Sequence, residues 1–227
     1  MTLSSAGTGS FRSIWFRGVL AELDSFSTCE PEIRKAASIL ADGGIAVYPT
    51  ETFYALGGDP GNAFTVNRIF ALKGRDFVKP LPLIALDRPS INRAASQWPE
   101  SAEALARVFW PGPLTLLLPA SPSMPPSLHA HTGRIAVRIS PHPVARRLAE
   151  ALGGLIISTS ANLSGEPACR TLGEISRLLL DGVDVVVSGG ELRGGQPSTI
   201  VDLTINPPCL VREGAIPWKD IRRVLEF

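Results

Sequence analysis

"PEIRKAASILADGGIAVYPTETFYALGGD", residues 31–59, sets the fold class within one short stretch. Pro31 and Glu32 stand at a helix start, Ile33, Ala36, Ala37 and Leu40 recur on one face, and Gly43-Gly44 stop the helix. "GIAVYPT" (44–50) follows with no linker, and this short β-branched run reads as a buried strand. A helix feeding at once into a buried strand predicts an alternating α/β chain.

Outward from there the alternation continues. After the turn-rich "GGDPGNA", "FTVNRIFALKG" places Val66, Ile69, Phe70 and Leu72 on a helical face that ends at Gly74. "PLPLIAL", "PLTLLLPA", "RIAVRIS", "LIISTSA", "VDVVVSGG" and "STIVDLT" read as strands, and Ser90–Gln97, Ser101–Phe109, "HPVARRLAEALGG" and "LGEISRLLLDG" as helices. "SPSMPPSLHAHTG" reads as a surface loop, and "CLVREGAIPWKDIRRVLEF" as a terminal pair of elements. Hairpin neighbours and crossovers occur together, so the expected fold class is α/β (α+β): a single domain with a mixed sheet and flanking helices. The 20 Pro and 21 Gly are dispersed, as tight loops in one domain would have them.

Composition narrows the function classes. With 44% hydrophobic and 19% charged residues the chain of 227 can bury a sizeable core, and disorder is excluded. The 22 Lys+Arg against 21 Asp+Glu argue against a generic polyanion binder, so any anion site is a local concentration of charge. Cys29, Cys169 and Cys209 lack C-x-x-C spacing, and His129 and His131 lie among Ser and Pro without an acidic or Cys partner; no metal site is expected. No apolar run approaches the roughly 18–20 residues that cross a bilayer, and a cytoplasmic location is expected. Residues 1–28 read as an N-terminal extension and 29–227 as the catalytic domain.

Neither G-x-x-x-x-G-K-[ST] nor G-x-G-x-x-G after a strand occurs, and G-x-S-x-G is missing too. Three other segments carry chemistry. "KGRDFVKPL" (73–81) gathers Lys73, Arg75 and Lys79 where a helix runs into a loop, as a clamp on a polyphosphate would need. "ISTSANLSG" (157–165) opens small hydroxyl and amide side chains at a strand end, suited to close approach of a ligand. "YPTETFYALGGD" (48–59) sets Thr50, Glu51 and Thr52 after a strand, where hydroxyls and a carboxylate would hold a small polar substrate. Arg138 near the end of "RIAVRIS" would need an anionic partner if buried, and "STIVDL" and "VREG" add Ser198, Asp202 and Arg212. Each segment alone also has a plainer reading: Lys73 complementing a helix C-terminus, a Ser/Thr-rich turn, and Phe53 and Tyr54 as core.

Together, over about Pro31–Asp220, the segments resemble the YrdC-type family of L-threonylcarbamoyladenylate synthases. P-T-E-T-x-Y, K-x-R-x-x-x-K-P-L, W-P-G-P-L-T, A-V-R, S-x-S-A-N-x-S-G, S-T-x-V-D and R-E-G all appear in order. The resemblance implies a twisted mixed sheet with a concave, positively charged face. It implies a nucleotidyltransferase that joins L-threonine, bicarbonate and ATP, with Mg²⁺ accompanying the nucleotide, and releases pyrophosphate. The product would pass to protein partners that modify tRNA. Carried over, Lys73 and Arg75 are the catalytic pair, and Arg75, Lys79, Ser160, Asn162 and Arg212 contact ATP. Thr52, Arg138 and Ser158 hold threonine, with Arg138 on its carboxylate.

Asp76, Ala55, Ile84 and Ala168 depart from the family pattern: Asp76 replaces a frequent proline, Ala55 a glycine, Ile84 a histidine of some relatives and Ala168 a serine. The chain is expected to be the single-domain form, without the additional C-terminal domain of longer members. Two alternatives stand beside the synthase: an RNA-binding module of the same fold, and a member of a sister branch with a different substrate.

Overall fold

The computed structural model describes residues 30–74 and 79–226. The expected extension at 1–28 lies outside the described residues, as do Arg75 and Asp76.

Helix α1 (Glu30–Ala41) has Glu30 and Glu32 in its first turn, where carboxylates favour the positive end of the helix dipole, and it buries Ile33, Ala36 and Leu40. Gly43 takes φ +85°, turning the chain straight into β1 (Ala46–Pro49). The antiparallel strand β2 (Tyr54–Gly57) pairs with it and adds to the sequence reading, which had only an aromatic pair and a turn at that place. Both strands are fully buried, so the alternation that usually reveals a strand is missing. Helix α2 (Ala63–Lys73) is capped at both ends: the Asn62 side chain accepts from Phe64 and Thr65 N–H groups, and Gly74 closes it in the left-handed conformation.

Next come β3 (Leu83–Ala85), α3 (Arg88–Ala94), α4 (Glu100–Phe109), β4 (Leu114–Pro119), β5 (Arg134–Arg138), α5 (Pro143–Ala151), β6 (Leu155–Ile157) and β7 (Thr159–Ser160). The expected helix in "LGEISRLLLDG" is broken: a 3₁₀ turn at Leu172–Glu174, then α6 (Arg177–Gly182). The Glu174 side chain folds back on the Arg170 and Thr171 N–H groups, a capping box that starts the 3₁₀ turn at Thr171. β8 (Val185–Val186), β9 (Thr199–Asp202), β10 (Cys209–Arg212) and α7 (Trp218–Leu225) complete the described residues. The loop at 121–133 is at the surface but anchored, since Met124 and Leu128 are buried in the core.

The strands form two mixed sheets, β7-β2-β1-β8 and β10-β9-β4-β5-β3-β6. Between them lies a seam of one residue. Ile157 ends β6, Thr159 begins β7, and Ser158 between them donates its N–H to Pro82 O at 2.7 Å. Ile157 N–H reaches Gly58 O at 3.0 Å, and a Cβ on Gly57 would stand 1.9 Å from Ile157 O, so only glycine fits there.

Register fixes what each face presents. Arg212 pairs with Ile200, Ile200 with Thr115, and Ile84 with both Arg138 and Ile156. Leu116 opposes Val137, which brings Thr115 opposite Arg138 one step along. Directly paired residues share a face, so one face of the larger sheet reads Ile156, Ile84, Arg138, Thr115, Ile200, Arg212. Its apolar end packs under α1 and α5 with Val144, Ala145 and Leu148, while the opposite face sends Leu83, Leu116, Val137 and Val201 into the larger core. In the smaller sheet Ala55 pairs with Tyr48 and Ser160, and Tyr48 and Ala55 join the same α1/α5 cluster. Ser160 therefore lies on the same side as Arg138.

Candidate functional site

The polar part of that face is where the sequence motifs meet. Arg138, at the end of β5, has only 12% of its side chain exposed, and it meets Glu51, 7% exposed, in a buried ion pair. The Arg138 Nη1 donates to Glu51 Oε1, and Ser140 Oγ donates to Oε2 at 2.6 Å. Burial by itself would raise the Glu51 carboxyl, but the Arg138 guanidinium and the Ser140 hydroxyl hold it below its ordinary value. His142, also buried, is pushed down to about 4, chiefly by burial. Near neutral pH the group is a cation, an anion and a neutral imidazole.

The anionic partner that a buried Arg138 requires is thus supplied by the chain itself. Glu51 was legible only as a carboxylate between two threonines, and Ser140 gave no signal at all. The turn that carries Glu51 is built by Thr50, whose hydroxyl donates to Phe53 O at 2.7 Å and accepts from the Thr52 and Phe53 N–H groups. Thr52 is half-buried beside Glu51, and its carbonyl accepts from Gly194 N–H at 2.9 Å. Ser158 is half-buried at the seam, and burial pushes the nearby Tyr48 phenol above its ordinary value. Tyr48 Oη donates to Ile157 O at 2.8 Å.

Lys73 sits elsewhere than a phosphate clamp would suggest. It is 2% exposed, and its Nζ donates to Ser160 O and, at 2.7 Å, to Asn162 O. A third link, Ser164 N–H to Lys73 O at 3.1 Å, ties the same segment to the end of α2. Lys73 therefore braces the Ser160–Asn162 segment from behind. The Asn162 Nδ2 donates to Leu163 O and Glu166 O, which leaves Oδ1 as a buried acceptor with no partner among the described residues. Lys79 is exposed, and Arg75 lies outside the described residues.

Arg212 reaches the same face through a β-bulge. Leu210 pairs with Val201, yet Arg212 rather than Val211 opposes Ile200. The extra residue turns Arg212 to the Thr115 side and leaves Val211 53% exposed. Its guanidinium donates to Ser198 O at 2.8 Å, and Ser198 Oγ meets Thr115 Oγ1 at 2.9 Å. Arg138 and Arg212 stand three strands apart in one row, about 14 Å at the usual strand spacing. Of the departures, Ile84 is fully buried in the α1/α5 cluster, Ala55 is buried there too, and Ala168 is half-buried. No group of three or more His, Cys, Asp or Glu able to hold a metal occurs among the described residues.

The family model for Sua5, YciO and YrdC, described as "Telomere recombination", matches residues 38–214. The chain belongs to the Sua5/YciO/YrdC family. Within it, the chain is 37% identical over 196 residues to a Threonylcarbamoyl-AMP synthase of Pyrococcus abyssi, and the match covers 86% of this chain and 58% of that protein. A Threonylcarbamoyl-AMP synthase of Nitrosococcus oceani is 38% identical over 170 residues, covering 75% of this chain and 92% of its own length. The chain thus spans less than two thirds of the Pyrococcus relative and nearly all of the Nitrosococcus one. The crystal structure of P. abyssi Sua5 complexed with L-threonine superposes with a TM-score of 0.81 at 37% identity, over 85% of this chain and 57% of that one. This likeness extends the Sua5/YciO/YrdC assignment from motifs to the whole described fold.

Proposed function

We propose that this chain synthesises L-threonylcarbamoyladenylate from L-threonine, bicarbonate and ATP, releasing pyrophosphate, as a nucleotidyltransferase of tRNA threonylcarbamoyladenosine formation. The observation that carries the reading is the single polar face on which Arg138, Ser158, Ser160 and Arg212 meet. The names of the 37–38% identical relatives, and the L-threonine bound to one solved relative, support it.

In this reading the threonine ammonium yields a proton to bicarbonate, giving water and CO₂. The free amine adds to that CO₂ with loss of a second proton to solvent, and the resulting carbamate oxygen attacks the α-phosphorus of ATP while pyrophosphate leaves. The chain forms no bond of its own; it binds, orients and neutralises charge on the phosphates. Arg138 has donors left over from Glu51 for the threonine carboxylate, with Thr52 and Ser158 beside it. Arg75, Lys79 and Arg212 take the phosphates, and Ser160 with Asn162 the nucleotide. Asn162 Oδ1 would accept from a nucleotide N–H or O–H, since an acceptor repels phosphate oxygen. The chain offers no cage for a metal among the described residues, so Mg²⁺ would enter on the nucleotide's own phosphates, as part of the substrate.

Ser158 and Ser160 lie two residues apart on one face, about 7 Å along an extended chain. That spacing sets the amino-acid side next to the nucleotide side, as in-line attack by a carbamate demands. The RNA-binding alternative is disfavoured because Glu51 neutralises Arg138, one of the cations of the face. No helix among the described residues is long and apolar enough to cross a membrane, and we place the activity in the cytoplasm, with the product passed to acceptor proteins. The test is pyrophosphate release: it should require L-threonine and bicarbonate together, and ATP turnover indifferent to both would reject the reading.

A further inference from the structure

The Glu51–Arg138 pair has an arrangement that a plain carboxylate-binding arginine would not need. Both Glu51 oxygens are used, one by Arg138 and one by Ser140, and only one edge of the guanidinium is engaged. No other hydrogen bond of the Arg138 side chain occurs among the described residues. The pair is nearly dry, at 7% and 12% exposure, and its net charge is zero.

A ligand entering such a place changes the buried charge. A carboxylate alone would share Arg138 with Glu51 and leave one uncompensated negative charge in a medium where that is costly. An amine alone would leave one positive charge. A zwitterion leaves none, because its carboxylate faces the free edge of Arg138 while its ammonium balances Glu51. Resting on the proposed threonine site, we propose that Glu51 is a positioning and specificity-determining residue that fixes Arg138 and restricts the site to zwitterionic α-amino acids. Ser140 locks the carboxylate in place by its hydroxyl, and the Thr50 turn delivers Glu51 to it. The same pair would also serve if it only tied the Thr50–Phe53 turn to β5, and the two roles predict different ligand preferences.

The experiment compares L-threonine with 3-hydroxybutyrate, the same skeleton without its amine, by calorimetry and as a competitor of turnover in the full chain. Wild type should take 3-hydroxybutyrate at least about tenfold more weakly than L-threonine. Glu51→Gln should compress that ratio by about tenfold, by weakening threonine and favouring the amine-free acid. Ser140→Ala keeps both charges, so it should raise the threonine KM several-fold while the ratio and the ATP KM stay unchanged. Should Glu51→Gln not fold, the wild-type ratio and Ser140→Ala decide. Equal wild-type affinity for the two acids, proportional weakening of both by Glu51→Gln, or an unchanged threonine KM in Ser140→Ala overturns the assignment and leaves the threonine site standing. A wild type that binds neither acid overturns the proposed function and this inference with it.

Discussion

The ammonium of Lys73, at the last turn of α2, hydrogen-bonds the main-chain carbonyls of Ser160 and Asn162, 87 and 89 residues away. A buried lysine in this position has the effect of a strut, because its removal strands two carbonyls in a dry setting.

Lys73→Met should therefore cost about 2–4 kcal/mol of stability, in the range expected for losing hydrogen bonds to a charged group. A urea titration measures it. The ATP KM should rise in parallel, because Ser160 and Asn162 lose their support; a variant of unchanged stability with poor turnover would instead mark Lys73 as a direct participant.

Arg212→Ala should behave in the opposite way. The side chain is exposed and its partner Ser198 O can find water, so stability should change by less than about 0.5 kcal/mol. The ATP KM should rise about tenfold or more, for one charge-assisted contact of roughly 1.5–3 kcal/mol. Deleting Val211 makes the ladder regular and still leaves Arg212 opposite Ile200, so the ATP KM should stay close to wild type with the arginine in place. A tenfold KM defect in the deletion variant would show that the bulge itself shapes the site.

Acid should destabilise the fold in two stages. His142, at about 4 when folded and 6.5 ordinarily, is neutral in both states at neutral pH; between pH 6.5 and 4 the unfolded chain takes up the proton first, so stability falls as pH falls. The full difference corresponds to about 3 kcal/mol. Glu51, held below its ordinary value of 4.5, adds stability that is present above that pH and is lost as pH drops through its lower folded value. His142→Gln should flatten the first stage and keep the second, as read by urea midpoints from pH 7 to 3. An identical slope in the variant would assign the first stage to other groups.

Gly57→Ala tests the seam between the sheets. Its Cβ would fall 1.9 Å from Ile157 O and 2.8 Å from the Tyr48 ring, and a backbone oxygen cannot swing aside as a flexible side chain can. The expected loss is about 1–3 kcal/mol or more, seen as a lowered thermal midpoint. An unchanged midpoint would mean the two sheets slide freely past one another.

Helices α1 and α2 were legible because capping and periodicity are local. Asn62 and Gly74 mark α2 at both ends, and Ile33, Ala36 and Leu40 mark α1. β2 was not, because both faces of Tyr54–Gly57 are covered and the run ends on Gly57 with Gly58 directly after it. Lys73 read as one arm of a phosphate clamp or as the complement of a helix C-terminus, since nothing within α2 reveals that a segment 87 residues on will lie over it. The need for an anion beside Arg138 was legible from burial logic, but whether chain or substrate supplies it is a matter of tertiary placement. Bringing Glu51 to Arg138 takes two strands from different sheets.

Ser158, the only residue between β6 and β7, makes the pair of sheets one mechanical body. With Pro82 gripping its amide and the Tyr48 phenol gripping the Ile157 carbonyl just before it, a tilt of either sheet is carried to the other. Two small molecules seated on either side of this joint would keep a fixed separation through thermal fluctuation, and the fold would act as a ruler set to the reach of one bond-forming step.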